Sequence, residues 1–164
     1  MRVDILETEL FSRYFSDVIG KNDLLPVKGV STDSRDIKKG DLFLAIKGEN
    51  FDGSEFVGEA LSAGATYAIV QSGDENHNTF LVDDVILFIG KICSQWMNDF
   101  NGNVIAITGS NGKTTTKDLI SHILSKKGYD ISKTEGNFNT SIGVPLSIFS
   151  FPHNVSRVYV LELG

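Results

Sequence analysis

Residues 104–116 read VIAITGSNGKTTT, and no other stretch of the chain restricts its fold as much. An apolar run without alternation, Val104 to Ile107, reads as a buried strand. It leads into a short loop closing on Gly112-Lys113-Thr114, after which helical spacing resumes. Strand, glycine loop, Lys-Thr and helix are the parts of a phosphate-binding loop. Glycine lets backbone N–H groups turn toward phosphate oxygens, and the helix N-terminus adds partial positive charge. In such a loop Gly109, Ser110, Asn111 and Gly112 offer backbone to the phosphates. Lys113 reaches the β/γ-phosphates, and the Thr114 hydroxyl ligates Mg²⁺. The usual pattern has four residues between its two glycines. Here Ser110 and Asn111 alone separate Gly109 from Gly112, and the place of the first glycine falls on Ile107. The spacing alone therefore leaves two readings open, a shortened phosphate loop or an ordinary βα turn with threonine capping.

The rest of the chain narrows the class. Its 164 residues, 41% hydrophobic and 22% charged, suit one domain or two small ones. A net charge of −6 argues against non-specific nucleic-acid binding. No apolar run approaches the ~18 residues of a membrane span, so no membrane insertion is expected. The N-terminus, MRVDILETELFSRYF, has neither the apolar core nor the cleavage site of a signal peptide, and a cytoplasmic location is expected. A lone cysteine, Cys93, excludes an internal disulfide and any multi-cysteine metal site.

Periodicity predicts a helix over residues 4–20, with Ile5, Leu6, Leu10, Tyr14 and Val18 on or near one face, and an extended segment over 24–32. It predicts a strand from Asp41 to Ile46, a loop over 48–54, a helix from Glu55 to Ala63 stopped by Gly64, and a strand from Thr66 to Val70. These elements make a small α/β domain, residues 1–82. A second unit, 83–164, opens with a helix to about Asp99 that has Asp83 and Asp84 at its start; Cys93 and Trp96 lie on its apolar face and read as core. The helix after the phosphate loop is expected to turn Leu119, Ile120, Ile123 and Leu124 inward. Ile131 is a weak strand signal, and residues 158–161, VYVL, read as a buried parallel strand. Ligands of open α/β sheets lie beyond the carboxyl ends of strands, which makes Glu162 a candidate for chemistry. Two clear strands do not make an adequate core, so the second unit reads as the start of a larger parallel-sheet domain. His77, His122 and His153 have no partner at suggestive spacing and read as surface or core residues.

Taken together, these stretches resemble the Mur ligases, ATP-dependent ligases of peptidoglycan precursor synthesis. The resemblance rests on residues 31–70, on the short loop TGSNGKTTTK (108–117), on TEGNFNTSIGVPLSIF (134–149) and on VLELG (160–164). It implies a UDP-sugar-binding domain followed by the start of an ATPase domain. Residues 134–149 favour the branch that joins D-alanyl-D-alanine to the UDP-N-acetylmuramoyl tripeptide; the branch that adds the third amino acid is the alternative. Departures are Ser54, where the family commonly has His, and Thr140, where it has a second Asn.

The family reaction implies that ATP phosphorylates a terminal carboxylate, that an amine attacks the acyl phosphate, and that phosphate leaves. By resemblance Lys113 carries the catalytic charge, Thr115 adds a hydroxyl to phosphate, and Thr114 and Glu162 bind Mg²⁺. Ser31, Thr32, Asp33, Ser34 and Arg35 line the diphosphate pocket, and Thr134, Asn137 and Asn139 face the substrate cleft. The rest of the ATPase domain, a carbamylated lysine and a C-terminal domain would lie beyond Gly164, so a fragment that binds ligands without turnover is a further expectation. A generic P-loop phosphotransferase or GTPase fits less well: the guanine-reading NKxD pattern is missing, and the DxxG at Asp99 to Gly102, like that at Asp17 to Gly20, precedes the loop.

Overall fold

The computed structural model describes residues 1–48 and 51–164. Two sheets organise the chain. The first has five strands in spatial order β1 (Arg2–Asp4), β2 (Gly29–Ser31), β3 (Asp41–Leu44), β4 (Tyr67–Val70) and β5 (Thr79–Leu81). β1 runs antiparallel to β2, and the other neighbours are parallel. The second sheet has three parallel strands, in the order β6 (Asn103–Ile107), β8 (Val158–Glu162) and β7 (Ile131–Lys133). Helices α1 (Thr8–Ile19), α2 (Val57–Ala63), α3 (Val85–Asn98), α4 (Lys113–Lys126) and α5 (Gly143–Phe149) complete the fold.

Local signals set most boundaries. The Asp84 carboxylate accepts from the Leu87 N–H at 2.8 Å and starts α3. Gly64, at φ 116°, ends α2 in the left-handed region. Asp52 caps a 3₁₀ turn, Gly53–Phe56, that precedes α2 where one continuous helix was expected. The loop expected over 48–54 includes Glu49 and Asn50, which lie outside the described residues.

Three expectations are corrected. Residues 4–20 are not one helix: Arg2–Asp4 is a strand, α1 begins at Thr8, and its buried side chains are Phe11, Tyr14 and Phe15, while Leu6 is exposed. The strand before the phosphate loop is not buried. β6 is a sheet edge, and Val104 is 44% exposed. Leu119 and Ile123 do not face inward; they are 58% and 50% exposed, because α4 lays Lys117 and Ser121 against the sheet instead.

The core ignores the division between the sheets. One apolar cluster joins Phe11 and Phe15 of α1, Ile69 and Phe80 of the first sheet, Ile89, Ile92 and Trp96 of α3, Phe149 of α5, and Tyr159 and Leu161 of β8. Phe149 meets Phe11 and Trp96 edge-on, at ring separations of 4.9 and 5.4 Å. Each such ring, fully buried, contributes about 1.5–3 kcal/mol. Helices α3 and α5 thus tie the phosphate-loop sheet to the first sheet. A smaller cluster, Phe43, Ala45, Ala60, Ala65, Ala68 and Val70, seats α2 on the opposite face of the first sheet.

Candidate functional site

β6 delivers the chain to the loop at Thr108, and α4 leaves it at Lys113. Gly109 has φ 144° and Gly112 φ 75°, backbone conformations that glycine adopts without strain. A Cβ at Gly112 would meet no atom within 4 Å, so the loop is an open cradle at the N-terminus of a 14-residue helix. Ser110, Asn111, Thr114 and Thr115 are exposed on it. The Lys113 ammonium folds back over the loop and donates to the Gly109 carbonyl at 2.7 Å.

The parallel register of β6 on β8 pairs Ile107 with Glu162, so the end of β8 arrives beside the loop. Thr114 donates to Glu162 Oε1 at 3.0 Å, across 48 residues of sequence. Asn139 Nδ2 donates to the same oxygen at 3.2 Å, and the Glu162 N–H donates to Thr134 Oγ1 at 2.9 Å. The structure therefore brings Thr114, Thr134, Asn139 and Glu162 to one point. Asn137 stands exposed on the turn and takes no part in these bonds. Thr140 accepts from the Gly143 N–H at 3.1 Å and starts α5, which gives this departure from the family pattern a structural use.

Lys117 was missed from the sequence. Its side chain is 2% exposed and its Nζ lies 3.2 Å from Glu162 Oε2. The available signal was its spacing, three residues on from Thr114 and so on the same helix face. Burial pushes the Glu162 carboxyl up, but the hydrogen bonds from Asn139 and Thr114, with the Lys117 ammonium close by, outweigh burial and hold it below the ordinary carboxylate value.

Thr114 and Glu162 are hard oxygen donors of the kind Mg²⁺ takes. Glu162 Oε2 is buried beside the Lys117 ammonium without an aligned hydrogen bond. Among the described residues no group of three or more His, Cys, Asp or Glu side chains is placed to hold a metal ion. The donor set therefore fits an ion that keeps waters and takes phosphate oxygens, and does not fit an all-protein cage.

A second site lies on the first sheet. Thr32, Asp33, Ser34 and Arg35, with Phe43, Phe51, Phe56 and Glu59, line a cavity of about 340 Å³. Arg35 grips Asp33 through both carboxylate oxygens, at 2.8 and 2.6 Å, and this bonding holds the Asp33 carboxyl well below its usual range. Phe51 and Phe56 stack at 5.2 Å with an interplanar angle of 18°. Ser31 is apart from this group. It is buried, and its hydroxyl is bonded to the Asp33 carbonyl at 2.9 Å. Of the remaining candidates, His153 and Trp96 pack edge-on at 5.1 Å in the core, and Cys93 is buried. Among the described residues no helix is long and apolar enough to cross a membrane.

Comparison with known proteins agrees with this geometry. The model described as Mur ligase family, catalytic domain matches residues 26–107, and that described as Mur ligase middle domain matches residues 107–164. The chain is 41% identical over 142 residues to the UDP-N-acetylmuramoyl-tripeptide--D-alanyl-D-alanine ligase of Bacillus subtilis, covering 84% of this chain and 31% of that protein. The MurF ligase of Thermotoga maritima, solved in complex with ADP, aligns with TM-score 0.73 and 37% identity, over 81% of this chain and 31% of its own. MurF of Acinetobacter baumannii aligns with TM-score 0.79 and 32% identity, over 93% and 35%. The chain spans about a third of the length of the proteins it matches. With its two family matches meeting at Ile107, on the threshold of the phosphate loop, the chain belongs to the Mur ligase family.

Proposed function

We infer that the chain supplies the UDP-sugar-binding and phosphate-loop parts of an ATP-dependent ligase that adds D-alanyl-D-alanine to the UDP-N-acetylmuramoyl tripeptide. The observation that carries this reading is the 3.0 Å bond between Thr114 and Glu162, which sets a hydroxyl and a carboxylate together at the mouth of a glycine cradle. Residues 1–82 are assigned to the sugar-nucleotide domain and 83–164 to the nucleotide-binding domain.

Phosphoryl transfer asks for positioning and charge neutralisation. Backbone N–H groups of Gly109 to Lys113 would hold the β/γ-phosphates of ATP, with Ser110 and Thr115 hydroxyls at hand. Lys113 would swing from the Gly109 carbonyl onto a phosphate oxygen. Thr114 and Glu162 would hold Mg²⁺, whose charge would offset that developing on the transferred phosphoryl group. At the first sheet, Arg35, Thr32 and Ser34 offer a guanidinium and hydroxyls to a diphosphate, and the Phe51–Phe56 pair offers a flat apolar wall to a base. Thr134 and Asn139 act through Glu162 in this reading; they position the carboxylate, which differs from the substrate contact expected of them.

Titration calorimetry of the chain with Mg-ATP and, separately, with the UDP-linked tripeptide tests the reading. Binding of both supports two competent half-sites. Failure of both overturns it, and phosphate release that requires both the tripeptide and D-alanyl-D-alanine would show that the chain turns over unaided.

A further inference from the structure

We propose that Lys117 is the resident counter-cation of Glu162, and that it competes with the divalent cation for Oε2 and so sets the metal affinity of the phosphate loop. The proposal rests on reading Thr114 and Glu162 as the metal-holding pair.

The two oxygens of Glu162 are treated differently. Oε1 accepts from Thr114 at 3.0 Å and Asn139 at 3.2 Å. Oε2 is buried and receives no aligned donor, only the Lys117 ammonium at 3.2 Å. The ammonium thus supplies charge there without a directed bond. Both side chains are almost wholly buried, at 2% and 5% exposed, so each neutralises the other where water cannot. A second cation at that oxygen meets the repulsion of the first, which a site poor in water screens little.

The fold separates the two lysines of α4. Lys113, at the first helical position, lies over the loop on the Gly109 carbonyl. Lys117, one turn later, shares a helix face with Thr114, and its stem runs back toward the helix N-terminus. Lys113 is therefore free to follow phosphate, while Lys117 belongs to the carboxylate. An arriving metal ion has to take over the neutralising role that Lys117 already fills, which weakens binding but keeps Glu162 ionised and aimed at Thr114 beforehand.

Removing the ammonium reverses both effects. In Lys117→Met the metal ion becomes the only cation near Glu162. The test is Mn²⁺ binding to the full chain by electron paramagnetic resonance, with thermal melting in parallel. Lys117→Met is expected to bind Mn²⁺ about tenfold or more tightly than wild type, with a lower metal-free melting temperature and a wider gap between free and saturated chains. Lys117→Arg, which keeps the charge, is expected to bind near the wild-type level. Equal or weaker Mn²⁺ binding by a folded Lys117→Met chain overturns the proposal. If that variant does not fold, ¹⁵N-labelled lysine in the wild-type chain answers. The resonance assigned through Lys117→Arg should shift on Mg²⁺ titration with the midpoint of metal binding, and its failure to move overturns the proposal. Glu162→Gln separates the two readings. Wild-type Mn²⁺ affinity in that variant overturns the metal site itself, whereas a flat Lys117→Met result in a chain whose metal binding needs Glu162 overturns the Lys117 role alone.

Discussion

Arg2 clasps Asp41 through both carboxylate oxygens, Nε to Oδ2 at 2.6 Å and Nη2 to Oδ1 at 3.0 Å, reaching across β2 to join the first strand to the third. The Asp41 side chain is wholly buried and also accepts from the Lys38 N–H at 2.8 Å. The bonds to Asp41 and Asp4 push the Arg2 guanidinium further above its already high value. Removing one partner leaves a buried, uncompensated charge. Arg2→Met is therefore expected to cost about 3–5 kcal/mol of stability, read from urea unfolding. A loss under about 1 kcal/mol would mean that β1 is not held by this pair.

Lys113 contributes nothing to the core; its one bond is to the carbonyl of its own loop. Lys113→Ala is expected to leave unfolding stability within about 0.5 kcal/mol of wild type. Mg-ATP affinity should fall about tenfold or more in calorimetry, as expected for loss of a charge-assisted phosphate contact. Unchanged affinity would place the nucleotide elsewhere.

The parts legible in the sequence were those fixed by short-range chemistry. VYVL lacks alternation and forms the central, fully buried strand of its sheet. Asp84 precedes an apolar helix and caps it. Glu162 follows a strand and lies beside the phosphate loop. What escaped depends on contacts far apart in the chain. Arg2–Asp4 is a strand because it pairs with Gly29–Ser31, far along the chain, and its three residues carry no period. Lys117 looks like any solvated helical lysine until the register of α4 on β8 is known. The cavity wall escaped because Phe43, Phe51 and Phe56 come from three separate segments.

The outward face of α4 offers a direct check on that register. Leu119 and Ile123 are apolar yet exposed, while Lys117 and Ser121 are buried. Leu119→Glu with Ile123→Lys places opposite charges four residues apart on the helix surface. The double variant of this chain is expected to unfold within about 0.5 kcal/mol of wild type in urea. A loss of several kcal/mol, the size that burying unpaired charge brings, would show that this face packs inward and that Lys117 is on the outside.

Cys93 gives a pH-dependent prediction. Its thiol is buried on α3, and burial pushes it up to about 12. An unfolded cysteine ionises near ~8.5. Below ~8.5 the thiol is neutral in both states, and its contribution to stability is fully present. Between that value and about 12 the unfolded chain loses the proton while the folded chain keeps it. Each rise in pH across this window therefore favours unfolding. Two outcomes are expected. A disulfide exchange reagent at pH 8 should label the native chain far more slowly than the urea-unfolded chain. Wild type should also lose more stability than Cys93→Ala on going from pH 8 to pH 10. Rapid native labelling, or identical alkaline profiles, would show that α3 opens readily and does not hold the two sheets together.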